Sequence, residues 1–151
     1  MKKSHARCLF LIALAITCSL AWQRAGAEDY LDYFEQGEFA VRVEKWDKAI
    51  QLFSKSIQDN PKFFLAYHYR AIAYSKSGQY DKSIEDLKKV VELNPQYPEA
   101  YALMGLVYEI KKDYASALKV YREALAREKR QAVRVGIEKY IRDVEAKMKK
   151  K

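Results

Sequence analysis

Residues 64–95 read FLAYHYRAIAYSKSGQYDKSIEDLKKVVELNP, and this stretch decides the fold. Two amphipathic segments meet at Ser77-Gly78, where glycine supplies the backbone freedom of a tight turn. Asn94-Pro95 closes the unit, because proline lacks an N–H and disfavours a helical residue before it. The landmarks recur on both sides at one spacing. Tyr67 has counterparts at Tyr33 and Tyr101, and 67−33 and 101−67 both give 34. Tyr80 has Trp46 and Tyr114, and Pro95 has Pro61, at that same spacing. A fixed period of that length marks a stack of helical hairpins. Each unit is too small to bury its own apolar face and covers it with its neighbour.

Working outward, the period predicts three units over residues 30–63, 64–97 and 98–130. Their helices are expected at 30–43 and 46–59, at 64–77 and 80–93, and at 98–111 and 114–127. Asp29 and Asp113 are the candidate N-caps, and Pro98 sits in a first turn, where a helix accepts proline. No proline closes the third unit, since Lys129 stands where Pro61 and Pro95 stood. A last helix is expected over 131–148, with Val133, Ile137, Tyr140, Ile141, Val144 and Met148 on one apolar stripe. One apolar side and one polar side suit an element that ends a stack. Gly136, costly inside a helix by about 1 kcal/mol, is expected to mark a close contact. Lys149, Lys150 and Lys151 read as a frayed basic tail.

Residues 1–27 stand apart. Lys2, Lys3 and Arg7 precede an apolar run over 9–22, and Ala25-Gly26-Ala27 offers small residues where a signal peptidase reads them. The run is short for a membrane span, which needs about 20 apolar residues. The expectation is a secretory signal peptide of bacterial type, cleaved after Ala27, and a periplasmic mature protein. The alternative is an anchored protein, with the segment retained or lipidated at Cys18. Ala15-Ile16-Thr17 is a poor lipidation box before that cysteine. Cys8 and Cys18 both lie in the segment, so the mature chain has no disulfide.

The full chain has a net charge of +8, of which the first 27 residues carry +4. Residues 127–151 hold ten basic and four acidic side chains, so residues 28–126 are net −2. The basic character is a C-terminal feature, which argues against a nucleic-acid groove along the stack. It leaves membrane contact through the basic C-terminus as a secondary expectation, next to contact through an uncleaved N-terminal segment. After the leader the chain has no cysteine and one histidine, His68. No nucleophile, paired base or ligand spacing accompanies it, so no enzyme activity, cofactor or metal is expected. The acids Asp81, Glu85 and Asp86 read as a solvated face.

The repeated residues resemble the tetratricopeptide repeat. Its small residue in the first helix is Gly37, Ala71 and Gly105; its following aromatic is Tyr74 and Tyr108, with Ala40 departing. The second helix opens on Trp46, Tyr80 and Tyr114, then carries Ala49, Ser83 and Ala117, then Phe53, Leu87 and Tyr121. A small residue lets helices approach closely and a bulky one fills the neighbouring gap. The resemblance implies an all-α solenoid of three repeats plus a capping helix. It also implies a concave groove lined by the first helices that binds a peptide or a helix of a protein partner. The groove-facing positions are then Leu31, Phe34, Glu38 and Val41; Leu65, His68, Ile72 and Ser75; and Glu99, Ala102, Leu106 and Glu109. This row is apolar at its centre with acids at both ends. The third set faces either the groove or the capping helix. Members that clamp the C-terminal carboxylate of cytosolic chaperones use Lys, Asn and Arg where this chain has Phe34, Glu38, Tyr69, Glu99 and Leu103. That role is therefore not expected.

Overall fold

A computed structural model describes residues 29–149. The leader assigned to residues 1–27, its cysteines, and Lys150 and Lys151 lie outside the described residues. Those described form seven helices and no strand: α1 over 29–42, α2 Trp46–Asp59, α3 Phe64–Lys76, α4 Tyr80–Leu93, α5 Pro98–Ile110, α6 Tyr114–Arg127 and α7 Gln131–Lys149. Consecutive helices pack against one another along the chain, giving an all-α solenoid of three helical pairs and a terminal helix.

The turn inside each pair follows one design. Gly78 has φ +78°, and Glu44 and Lys112, one period to either side, have φ +56° and +61°. In repeat two Gln79 N–H donates to the Tyr74 carbonyl at 2.8 Å and Gly78 N–H to Ser75 at 3.2 Å. The same two bonds recur from Lys45 and Glu44, and from Asp113 and Lys112. This is the Schellman ending of a helix, which satisfies otherwise orphaned carbonyls and needs one left-handed residue. Only repeat two supplies glycine for it, so the other two turns carry the strain of a side chain at positive φ. Asp113 then caps α6, its Oδ1 accepting from Ser116 N–H at 3.1 Å. Asp29 is itself within α1 and not a cap.

The joints between pairs are also repeated. Asn60 and Asn94 hold φ of −135° and −142° with ψ of 87° and 84°, outside the helical region that a following proline disfavours. The Tyr67 hydroxyl donates to the Pro61 carbonyl and the Tyr101 hydroxyl to the Pro95 carbonyl, both at 3.3 Å. The third joint, without proline, uses charge. Glu128 Oε1 accepts from the Arg130 amide at 2.8 Å and from its Nε at 2.9 Å. The Arg134 guanidinium donates to the carbonyls of Leu125 and Glu128. Arg130 thus holds the Glu128 carboxylate down to about 2.

Three core clusters lie between successive elements. Phe34, Leu52 and Phe53 pack with Ala66 and Ala73 of the next pair. Tyr67, Leu87 and Val90 pack with Ala100, Met104 and Val107. Tyr101, Tyr121 and Ala124 pack with Ile137 and Val144 of α7. Gly37 and Gly105 give up their side-chain space to the Phe53 and Tyr121 rings. Val144 is fully buried, a gain of about 1.5–3 kcal/mol for such a side chain.

The terminal stripe turns in only partly. Ile137 and Val144 are buried and Ile141 packs beside them, while Val133, Tyr140 and Met148 stay exposed. Tyr140 nonetheless stacks on Tyr121 with ring centroids 5.6 Å apart. Two expectations fail here. A Cβ on Gly136 would meet nothing within 4 Å, so that glycine marks no close contact. Helix α7 continues through Lys149, so that lysine is not part of a frayed tail.

Candidate partner-binding groove

The first helices α1, α3 and α5 carry the twelve positions expected to face a partner, and the structure divides them into three groups. Leu31, Glu38, Val41, Leu65, Ile72 and Ser75 keep part or much of their surface open. Leu31 is 42 % exposed, and Val41 and Leu65 rest with one side on the first core cluster.

Phe34 and His68 form a second group, sunk into an aromatic floor. Phe34 touches the rings of Phe53, Phe63 and Tyr69 at centroid distances of 5.6, 5.0 and 5.3 Å. His68 stands edge-on between Tyr69 at 5.6 Å and Tyr97 at 5.2 Å. The floor continues to Tyr30 through Phe63 and to Phe64 through Tyr97. Edge-to-face ring pairs contribute about 0.5–1.5 kcal/mol each beyond area burial, so this row is rigid. Burial holds the His68 imidazole below its ordinary value, with the Glu99 carboxylate opposing the shift. Its buried Nδ1 has no hydrogen-bond partner among the described residues. Burial, then the Glu38 carboxylate, raises the Tyr69 hydroxyl above its usual range.

The third group is occupied by the end of the chain. Ala102 and Leu106 pack on the cluster that contains Ile137 and Val144 of α7. Glu109 forms an ion pair with Lys147 at 3.3 Å, and Glu99 accepts from Arg130 at 2.5 Å. Ala102, Leu106 and Glu109 thus meet the terminal helix, and Glu99 meets Arg130 just before it. The acids at this end are therefore paired, and Glu38 is left as the acid of the open part.

Two features were not legible as sites. Phe63 and Tyr97 build the floor and stand one period apart, a landmark hidden because each sits just before its helix. Asp86 is buried, not part of a solvated face. Its carboxylate accepts two bonds from Arg70 at 2.7 Å each, and Arg70 also donates to Ser54 Oγ at 2.9 Å. The guanidinium lies over the rings of Tyr67 and Tyr74. Burial pushes the Asp86 carboxyl above its ordinary value. Two charge-assisted bonds to the Arg70 guanidinium, which stays protonated, oppose that shift. Among the described residues no group of His, Cys, Asp and Glu is placed to hold a metal ion.

Comparison with known proteins agrees with this geometry. A family model described as TPR repeat matches residues 73–109, and two described as tetratricopeptide repeat match 52–85 and 98–130. The chain belongs to the tetratricopeptide repeat family. Its solved structural neighbours include other tetratricopeptide repeat domains. The Sgt2 TPR domain from Aspergillus fumigatus superposes with a TM-score of 0.72 at 24% identity, covering 80% of this chain and 80% of that one. The TPR2B domain of yeast Sti1, in a complex with an Hsp70 peptide, gives 0.75 at 20% identity over 80% and 98%. The MamA protein gives 0.65 at 28% identity over 69% and 57%. No curated protein sequence matches the chain. Tetratricopeptide repeat domains are interaction modules, and this chain is a protein–protein interaction module by its fold.

Proposed function

We propose that this chain is a non-catalytic adaptor of the bacterial cell envelope that holds an apolar peptide or helix of a partner protein against α1 and α3. The observation that carries the reading is the rigid aromatic floor of Phe34, Phe63, Tyr69 and Tyr97, flanked by the open side chains of Leu31, Val41, Leu65 and Ile72. Helix-in-groove and peptide-in-groove recognition both use such spaced apolar anchors. Related domains have been solved with chaperone peptides, among them the first TPR of Spaghetti with the peptide SRMEEVD. This groove differs in charge. Phe34, Glu38 and Glu99 stand where a carboxylate clamp needs cations or amides, and Glu99 is already engaged by Arg130. An acidic C-terminus is thus a poor ligand, and an apolar segment with a basic flank toward Glu38 is a good one.

The test is selection of peptides from a displayed random library by the wild-type chain and by a Leu65→Lys, Ile72→Lys variant. Wild type is expected to enrich apolar peptides, and the variant to enrich none while its helical circular dichroism is unchanged. A folded variant that selects the same peptides overturns the groove assignment. Leu106, packed toward α7, is not a suitable probe, because its loss disturbs the terminal helix.

The envelope setting rests on the leader-like residues 1–27. The apolar run over 9–22 with Cys18 favours one second reading, a membrane-anchored assembly subunit of an envelope complex. Mass spectrometry of protein recovered from membranes separates the two. A mature start at Glu28 supports export and release, and an intact Met1 or a lipidated Cys18 supports the anchor. Contact of the basic C-terminus with anionic lipid is the weaker proposal. Arg130, Arg134 and Lys147 are occupied in fixing α7 to the array.

A further inference from the structure

The period of the array allows each surface of the first repeat to be compared with the same surface of the other two. Ala66 and Ala73 of α3 are fully buried against the pair before them, and Ala100 and Val107 of α5 likewise. The matching positions on α1 are Asp32 and Phe39. Among the described residues no earlier repeat covers them. Phe39 is 60 % exposed and Val43, one turn on, 43 %. The end of a solenoid is ordinarily polar where solvent meets it; this end presents a phenylalanine. Beside it lies a pocket of about 500 Å³ walled in part by Ala40, Val43 and Leu52. Phe39 is itself one wall of that pocket, so one face carries an exposed ring at the rim of an apolar hollow.

The charges around the hollow are sorted by sign. Asp32 and Glu35 lie on the first half of α1, while Arg42 ends the helix and Lys45 and Lys48 follow it. None of the five is in an ion pair among the described residues. Among the described residues Asp32 accepts from Gln36 at 2.9 Å, and the Arg42 guanidinium rests 5.9 Å from the Phe39 ring centroid. Acids at one end of a helix and cations at the other are complementary to the same helix running the opposite way. Residues 1–27 carry four cations and no acid, so they offer nothing to Arg42, Lys45 and Lys48.

We infer that this face is a homodimer interface. Two copies pair through antiparallel α1 helices about a two-fold axis between Gln36 and Phe39. Each Asp32 meets an Arg42, and the two Phe39 rings, each lining its own hollow, meet across the axis. A two-fold contact must be self-complementary, residue i meeting j and j meeting i. With a rise of about 1.5 Å per residue, Asp32 and the Arg42–Val43 turn lie about 8 Å on either side of that axis. Phe39 lies about 3 Å from the axis, so the register that pairs the charges also brings the two rings together.

Sedimentation equilibrium across the micromolar range tests this, on the full chain and on the chain starting at Glu28, which retains every described element. Both are expected to dimerise alike. Phe39→Lys is expected to weaken the dimer about tenfold or more with unchanged helical content. Asp32→Arg and Arg42→Asp each weaken it, and the double reversal restores it, an outcome specific to antiparallel self-pairing. Monomers throughout the range, a dimer indifferent to Phe39→Lys, or failure of the double reversal to rescue overturns the inference. Dimers formed by the full chain alone also overturn it, and assign the contact to residues 1–27.

Discussion

Gly105 has no side chain because Tyr121 occupies its place: a Cβ there would sit 2.5 Å from the Tyr121 Cε1. Gly37 stands in the same relation to Phe53, also at 2.5 Å. In repeat two the partners at the same offset are Ala71 and Leu87, both fully buried. The three repeats thus share one volume between two residues in different ways, glycine with a ring or alanine with leucine. Gly105→Ala should destabilise the fold by about 1–3 kcal/mol through overpacking. Adding Tyr121→Leu should recover part of that loss, since it recreates the repeat-two combination. Urea unfolding of the two single variants and the double variant measures the coupling. Simple additivity would show that the two residues do not share this space.

The buried pair Arg70–Asp86 gives a second prediction. Repeat three has Met104 and Val120 at those positions, and repeat one has Gln36 and Leu52. Asp86→Ala leaves a guanidinium half-buried without its carboxylate and should cost about 3–5 kcal/mol. Arg70→Met with Asp86→Val copies the repeat-three pair and should be close to neutral. Thermal melts decide between this and a pair that contributes strongly on its own, for which the double variant would be as unstable as the single one.

The turn strain is open to direct relief. Lys112 and Glu44 hold φ of +61° and +56°, a region that costs a side-chain-bearing residue about 1–2 kcal/mol. Lys112→Gly should stabilise the chain by about 0.5–1 kcal/mol, the gain being reduced by the greater freedom of glycine when unfolded. Gly78→Ala should lose about 1 kcal/mol, and only through the backbone, since a Cβ at Gly78 meets nothing within 4 Å. Opposite signs for these two substitutions in chemical denaturation are the expected result. Equal signs would mean that the turns do not share one conformation.

The joint before α7 should respond to acid. Arg130, through its side chain and its amide, holds Glu128 down from 4.5 to about 2 in the folded protein. A carboxylate with a depressed folded value favours folding above its unfolded value and ceases to do so as pH falls through the folded one. The anchoring of α7 should therefore be constant above about pH 4.5 and weaken progressively from there toward about pH 2. Amide exchange across residues 131–149 reads this locally. Glu128→Gln should lower protection at neutral pH and flatten the change within that acid window. An unaltered pH profile in the variant would assign the effect to other carboxylates.

The architecture was legible because its signals are periodic. Tyr67, Tyr80 and Pro95 each recur at the same interval, so the helices of the three pairs are located by more than one copy of each landmark. What stays hidden is whatever breaks the column. Asp86 stands between Leu52 and Val120 at the same repeat position. An acid in an otherwise apolar column calls for a buried partner, and Arg70 lies at the same offset that joins Gly105 to Tyr121. Glu44 and Lys112 give no hint of a left-handed backbone by residue type, although they align with Gly78. Gly136 misleads for the opposite reason: it lies outside the repeats, and its missing side chain faces open space. In the groove, counting locates the first helices but not how far α7 reaches over Leu106 and Glu109. No local pattern encodes that contact, because it depends on where a helix outside the repeat comes to rest.

The closed C-terminal end gives the array a direction of unravelling. In a structure held by nearest-neighbour contacts, units detach from whichever end has a neighbour on one side only. Repeat three is clasped by Val144, Arg130 and Lys147, whereas in a single copy α1 is gripped, among the described residues, from one side and leaves Phe39 exposed. Thermal fluctuation should therefore peel the chain from α1 inward, loosening Leu31 and Val41 before Ile72. The same side chains that offer themselves to a partner are those whose order is most easily lost, so occupying them would also clamp the end from which the molecule comes apart.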